Sequence, residues 1–262
     1  MTDLTGLGSA TILDVDQLVV TYGPRTAVEG VTFQVLRGEI FGLLGPNGAG
    51  KTSTLSAIEG LLKPHAGRVR VDQVDIERDP IEAKSRLGVQ LQSSSFQAEL
   101  TIEEIARLYA GLYGLKITRQ GIADRIRDVG LGEELGKRFK SLSGGQQQRL
   151  SLLIAVIHEP VLLLLDEPTS GLDPQSRRQL WDRIENLRTG GGSILLTTHS
   201  MEEAQAVCDR VAVIDHGKLL IVDTPAGLTA KHRNDPRVVK AARGEVTLED
   251  VFIGLTGSEI RG

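Results

Sequence analysis

Short runs of β-branched and apolar residues crowd the first third of the chain. Ile12–Val20 and Val28–Leu36 are two such runs, bounded by Tyr22-Gly23-Pro24 and Arg37-Gly38, and they predict strands. Ile40–Leu44 predicts a short apolar strand that runs straight into a glycine-rich loop. The spacing then predicts a helix over Thr52–Leu62, closed by Lys63-Pro64. Arg68–Asp75 alternates like an edge strand, and Leu87–Leu91 predicts another short strand.

The pattern changes in the middle. Thr101-x-x-Glu104 is a capping box, and Ile102, Ile105, Leu108 and Leu112 follow at helical spacing. Further helices are expected over Arg119–Val129 and Gly145–Ile157, so Ser93–His158 reads as a helical insert. Strands and helices then alternate: strand Val161–Leu165, helix Pro174–Leu187, strand Ser193–Thr197, helix Met201–Val207, strand Val211–Asp215. Val161–Leu165 is wholly apolar, as in a buried parallel sheet. The alternation means βαβ units and an α/β core. Beyond Val222 the pattern weakens to a polar segment around Lys231–Arg237 and one helix, Leu248–Leu255. That tail either adds contacts to a second copy or packs on the core.

Composition narrows the function. The 262 residues are 40% hydrophobic and 24% charged, enough to bury a real core. A net charge of −4 and 3% aromatic residues argue against a nucleic-acid coat or a base-stacking platform. The single cysteine, Cys208, excludes an intrachain disulfide and a multi-cysteine metal site, which suits a reducing compartment. It is expected to be a small apolar residue on a helix. The apolar run Leu150–Leu165 is broken by His158, Glu159 and Pro160, too short to span a membrane. Met1–Ala10 lacks the basic and apolar regions of a signal peptide and reads as a polar tail.

Gly45-Pro46-Asn47-Gly48-Ala49-Gly50-Lys51-Thr52 fits the phosphate loop G-x-x-x-x-G-K-[ST], between a strand and a helix. Its glycines let backbone N–H groups turn inward around phosphate oxygens, and the helix start adds positive potential. Lys51 is expected on the β- and γ-phosphates and the Thr52 hydroxyl on Mg²⁺, with Ser53 beside it. Asp166 and Glu167 follow the buried strand Val161–Leu165, where ligands bind in open α/β sheets. Asp166 is expected to hold Mg²⁺, and Glu167 to orient or deprotonate the attacking water. A second anion-binding end lies at Leu142-Ser143-Gly144-Gly145-Gln146, where a serine cap and two glycines open a helix. One phosphate chain would not obviously need both ends from one molecule, which suggests two copies completing each other's sites.

In this order, Gly45–Thr52, Leu142–Gln146, Leu162–Glu167, Ser170-Gly171-Leu172-Asp173 and His199 resemble an ABC-type ATPase over about residues 12–222. The resemblance implies a P-loop NTPase fold, a β-rich N-terminal subdomain, the inserted helical subdomain and a short extension over 223–262. It also implies a head-to-tail dimer holding ATP between phosphate loop and signature. On these positions Tyr22 would stack on adenine, and Gln92 would touch Mg²⁺ or water. Ser143, Gly144, Gly145 and Gln146 would meet ATP in trans, Asp173 would bridge the two sites, and His199 would sense the γ-phosphate. Ile40–Leu44, Ser200-Met201-Glu202-Glu203-Ala204, Cys208-Asp209-Arg210-Val211 and Thr247–Phe252 are similar to the ATPase branch of bacterial drug and polysaccharide exporters. That branch implies separately encoded membrane permease subunits and a place on the cytoplasmic face of the membrane. A soluble ATPase of iron–sulfur cluster assembly is the alternative.

Overall fold

The computed structural model describes residues 11–90 and 96–257. Met1–Ala10, read above as a tail, and Gln92 lie outside the described residues. Two sheets organise the chain. The first is antiparallel, in the order β2 (Arg25–Leu36), β1 (Thr11–Tyr22), β4 (Ala66–Val71), β5 (Val74–Asp75). The second runs β10 (Lys218–Asp223), β9 (Arg210–Asp215), β3 (Ile40–Leu44), β8 (Ser193–Thr198), β7 (Leu162–Asp166), β6 (Leu87–Gln90). It is parallel except for the β9–β10 hairpin.

The parallel strands are buried on both faces, which is why their sequences carry unbroken apolar runs. One face meets α1 (Lys51–Ile58) and the antiparallel sheet, in a core that includes Val15, Phe33, Leu55, Leu162 and Leu164. The other face meets α6 (Pro174–Thr189), α7 (Met201–Val207) and the C-terminal helices, in a core with Leu163, Leu165, Ile184 and Phe252. A third core joins α3 (Ile102–Leu112), α4 (Arg119–Asp128) and α5 (Gly144–Val156). Helix α5 serves two cores: Leu152 and Ala155 face the sheet, and Leu150, Leu153 and Ile154 face the helical block.

Several sequence expectations need correction. The edge strand expected over Arg68–Asp75 is a hairpin, broken where Asp72 and Gln73 take φ of 47° and 69°. Two positive-φ residues in a two-residue loop form the turn whose twist matches the flanking strands. The first helix ends four residues earlier than expected, because Gly60 at φ 64° takes the chain out of helical geometry. Helix α2 (Pro80–Ser85) and strand β10 were not anticipated. Cys208 is buried, but in extended geometry just past α7.

The weakly patterned tail folds into α8 (Pro225–His232), α9 (Pro236–Ala241) and α10 (Leu248–Thr256). The polar segment around Lys231–Arg237 spans the α8–α9 turn. Thr224 and Asp235 cap α8 and α9, each with proline at the next position. Leu228, Val238, Leu248, Val251 and Phe252 are buried in the second core, so this tail packs on the body of its own chain. Among the described residues no helix is long and apolar enough to cross a membrane.

Candidate functional site

The loop after β3 turns through Gly48 and Gly50, at φ 82° and 109°, into α1. At Gly50 a Cβ would lie 2.5 Å from the Ala27 carbonyl oxygen, so only glycine lets the loop press this close to β2. A cavity of about 300 Å³ opens there, lined by Tyr22, Arg25, Ala27, Asn47, Gly48, Gly50, Lys51, Thr52, Ser53 and Glu167. Tyr22 is half exposed at its mouth, with its hydroxyl 3.4 Å from Ser53 Oγ. Arg25 was missed in the sequence; it follows the Gly23-Pro24 turn and carries no motif of its own.

Lys51 is 5% exposed. Its Nζ donates to the carbonyls of Gly45 at 2.8 Å and Pro46 at 3.2 Å, and lies 3.6 Å from Glu167 Oε1. Burial lowers its pKa, while Glu167 and Asp166 pull it back up. The loop therefore already holds its cation against its own carbonyl oxygens, where an entering anion would compete for it.

Strand β7 delivers Asp166 and Glu167 together. Asp166 is buried, and its Oδ1 accepts a 2.6 Å bond from Thr197 Oγ1 on the neighbouring strand β8. Glu167 sits at φ 45°, a left-handed conformation that a non-glycine residue rarely holds without compensation. Its N–H donates to Thr197 Oγ1 at 3.0 Å, which helps hold it there. His199, just past β8, puts Nδ1 3.3 Å from Glu167 Oε1. Two candidates from distant parts of the chain, Lys51 and His199, thus converge on the carboxylate of a third, Glu167. Glu59 ends α1 beneath this group. It is 6% exposed, neither carboxylate oxygen has a partner, and burial with the Asp166 charge raises its pKa to about 7.

The second predicted anion end forms a separate site. Ser143 caps α5 in a capping box: its Oγ accepts from Gln146 N, and its N–H donates to Gln146 Oε1. Gln146 Nε2 donates to Glu134. Ser143, Gly145, Gln148, Arg149, Leu172, Ser176, Gln179 and Leu180 line a small cavity of about 60 Å³. This cavity shares no lining residue with the one at the phosphate loop. Asp173 caps α6, accepting from Gln175 N, Ser176 N and Ser176 Oγ, and these bonds hold its carboxyl below the usual range. Gln148 Nε2 donates to Pro168 O, tying α5 to the loop after Glu167.

Comparison with known proteins fits this geometry. The family profile described as ABC transporter matches residues 28–170. The chain belongs to the ABC transporter family. ATP-binding proteins of this family are ATPases coupled to transport. The chain is 39% identical, over 84% of its length and 69% of the relative's, to Nod factor export ATP-binding protein I of Ralstonia nicotianae. It is 35% identical, over 94% of its length and 79% of the relative's, to daunorubicin resistance ATP-binding protein DrrA3 of Streptomyces coeruleorubidus. It matches the probable multidrug ABC transporter ATP-binding protein YbhF of Escherichia coli at 38% identity, spanning 42% of that longer protein. A solved ATP-binding subunit of an ABC transporter superposes with a TM-score of 0.81 at 29% identity, covering 94% of this chain and 99% of the other. The α/β P-loop expectation thus stands. Nothing among these relatives supports the cluster-assembly alternative.

Proposed function

We propose that this chain is the ATP-hydrolysing subunit of an exporter, driving separate membrane permease subunits from the cytoplasmic face of the membrane. The observation that carries the reading is the separation of the two anion-binding ends. Lys51 and Glu167 line one cavity, with His199 against Glu167, while Ser143 and Gly145 line another. Two copies arranged head to tail would let each signature cap the other's phosphate loop. The names of the relatives that are Nod factor export ATP-binding proteins support the direction of transport.

In this reading the phosphate-loop amides and Lys51 hold the β- and γ-phosphates, and Tyr22 stacks on the adenine. Lys51 exchanges the Gly45 and Pro46 carbonyls for phosphate oxygens. Glu167 takes the proton of the attacking water, and His199 helps fix the carboxylate at Oε1, the oxygen that Lys51 also approaches. Ser143 and Gly145 of the second copy complete the γ-phosphate shell, and Asp173 links the two sites. Asp166 and Thr52 supply a carboxylate and a hydroxyl, hard oxygen donors that suit Mg²⁺. Mg²⁺ would neutralise charge on the phosphates. Gln92 belongs to the same assignment.

The test is affinity purification of the tagged Glu167→Gln chain with ATP from gently solubilised cells, followed by mass spectrometry. A stoichiometric polytopic membrane protein is expected. Recovery of soluble partners only, with the chain absent from membranes, would overturn the transport role.

A further inference from the structure

Glu203 lies on α7, one turn after His199, and is fully buried, at 0% exposure. It lines neither cavity. Its Oε1 accepts from Trp181 Nε1 on α6 at 3.2 Å. Burial pushes the pKa of its carboxyl up, and the hydroxyls of Thr198 and Thr169, which lie against the carboxylate, the Trp181 bond and the charge of Arg177 only partly offset this. Its Oε2 has no hydrogen bond of normal geometry, and the buried Nε of Arg177 has none either.

Burying a carboxylate is unfavourable, and one acceptor for Trp181 could be supplied by a neutral side chain. What distinguishes Glu203 is which residues it touches. Thr169 stands two residues after Glu167, and Thr198 immediately precedes His199. The loop bearing Thr169 is also the one that Gln148 of α5 grips at Pro168. Thr198 Oγ1 in turn accepts from Ser200 N at 2.9 Å, shaping the turn that carries His199. One buried carboxylate therefore abuts both loops whose outer residues, Glu167 and His199, come within 3.3 Å.

We propose that Glu203 is a positioning residue that fixes the Glu167 loop and the His199 turn relative to each other. It does not touch the reacting atoms. This rests on the ATPase reading above. Glu203→Gln keeps the acceptor for Trp181, cannot ionise, and turns a donor toward the two threonine hydroxyls. Misplacement by a fraction of an ångström is enough to slow turnover, since about 1 Å can cost about 100-fold.

The test is steady-state ATP hydrolysis by the full chain, with thermal unfolding and the imidazole NMR signals of His199 recorded alongside. In Glu203→Gln, kcat should fall about tenfold or more with KM within about twofold, the pattern of a lost transition-state interaction. The His199 signals should shift while Tm stays close to wild type. Thr169→Val disturbs no charge and should produce the same split, so the idea remains testable if the first variant misfolds. Wild-type kcat and unmoved His199 signals in both variants would overturn the proposal. So would a joint loss of kcat, KM and stability, which marks a structural role. If the wild-type chain itself fails to hydrolyse ATP, the functional reading falls, and the His199 signals alone still decide the positioning role.

Discussion

Replacing Glu59 by glutamine should favour the fold more in mild alkali than in mild acid, relative to wild type. The Glu59 carboxyl is buried at the end of α1 without a partner, and Asp166 repels its charged form. Its pKa rises from 4.5 to about 7. A raised carboxyl pKa means that the folded state holds the proton more tightly than the unfolded one. Stability from this group is full below about pH 4.5 and is lost as pH rises through about 7. Integrating the linkage, wild type should lose about 2.5 kcal/mol relative to the variant between about pH 5 and pH 8.5. The variant's own buried amide carries a desolvation cost of about 1–3 kcal/mol, but that cost does not titrate. The difference between the two pH values is therefore the readable quantity. Urea unfolding of both proteins at the two pH values measures it. A stability difference constant to within about 0.5 kcal/mol would refute the reasoning, because it would mean that Glu59 ionises in the fold as it does in the unfolded chain.

Two other outcomes follow from the geometry. Gly50→Ala should abolish nucleotide binding and destabilise the fold by about 1–3 kcal/mol, since its Cβ would enter the Ala27 carbonyl at a strained φ; nucleotide titration and thermal melting check it. Phe252→Ala should cost about 3–5 kcal/mol by urea unfolding, because the ring is 2% exposed in the second core; a cost below about 1 kcal/mol would mean that the tail is not part of that core.

The residues that bind phosphate in this reading were legible because the chemistry demands consecutive backbone positions. Gly45–Thr52 must lie together in sequence to wrap an anion, and Asp166-Glu167 must follow a buried strand. The partners of those residues were not legible. Thr197 meets Asp166 only because β7 and β8 pair in register, and Glu59 meets Asp166 only because α1 packs on that sheet face. Glu203 stood out in sequence only as part of Ser200–Ala204, since its proposed positioning role depends on loops far apart in the chain. Among fold elements, α8 and α9 announce themselves by Thr224-Pro225 and Asp235-Pro236, yet each is too short to show a clear apolar stripe. Strand β10 is half-buried along most of its length, so its pattern is faint. The β4–β5 hairpin turns on Asp72-Gln73, not on glycine, which hid the break.

The head-to-tail arrangement is tested most directly by the mass in solution of the Glu167→Gln chain with and without Mg-ATP, measured by light scattering during size exclusion. A monomer is expected without nucleotide and a dimer with it, and a monomer in both conditions once Ser143→Arg is added. A nucleotide-independent mass, or a dimer indifferent to the change at Ser143, would contradict it.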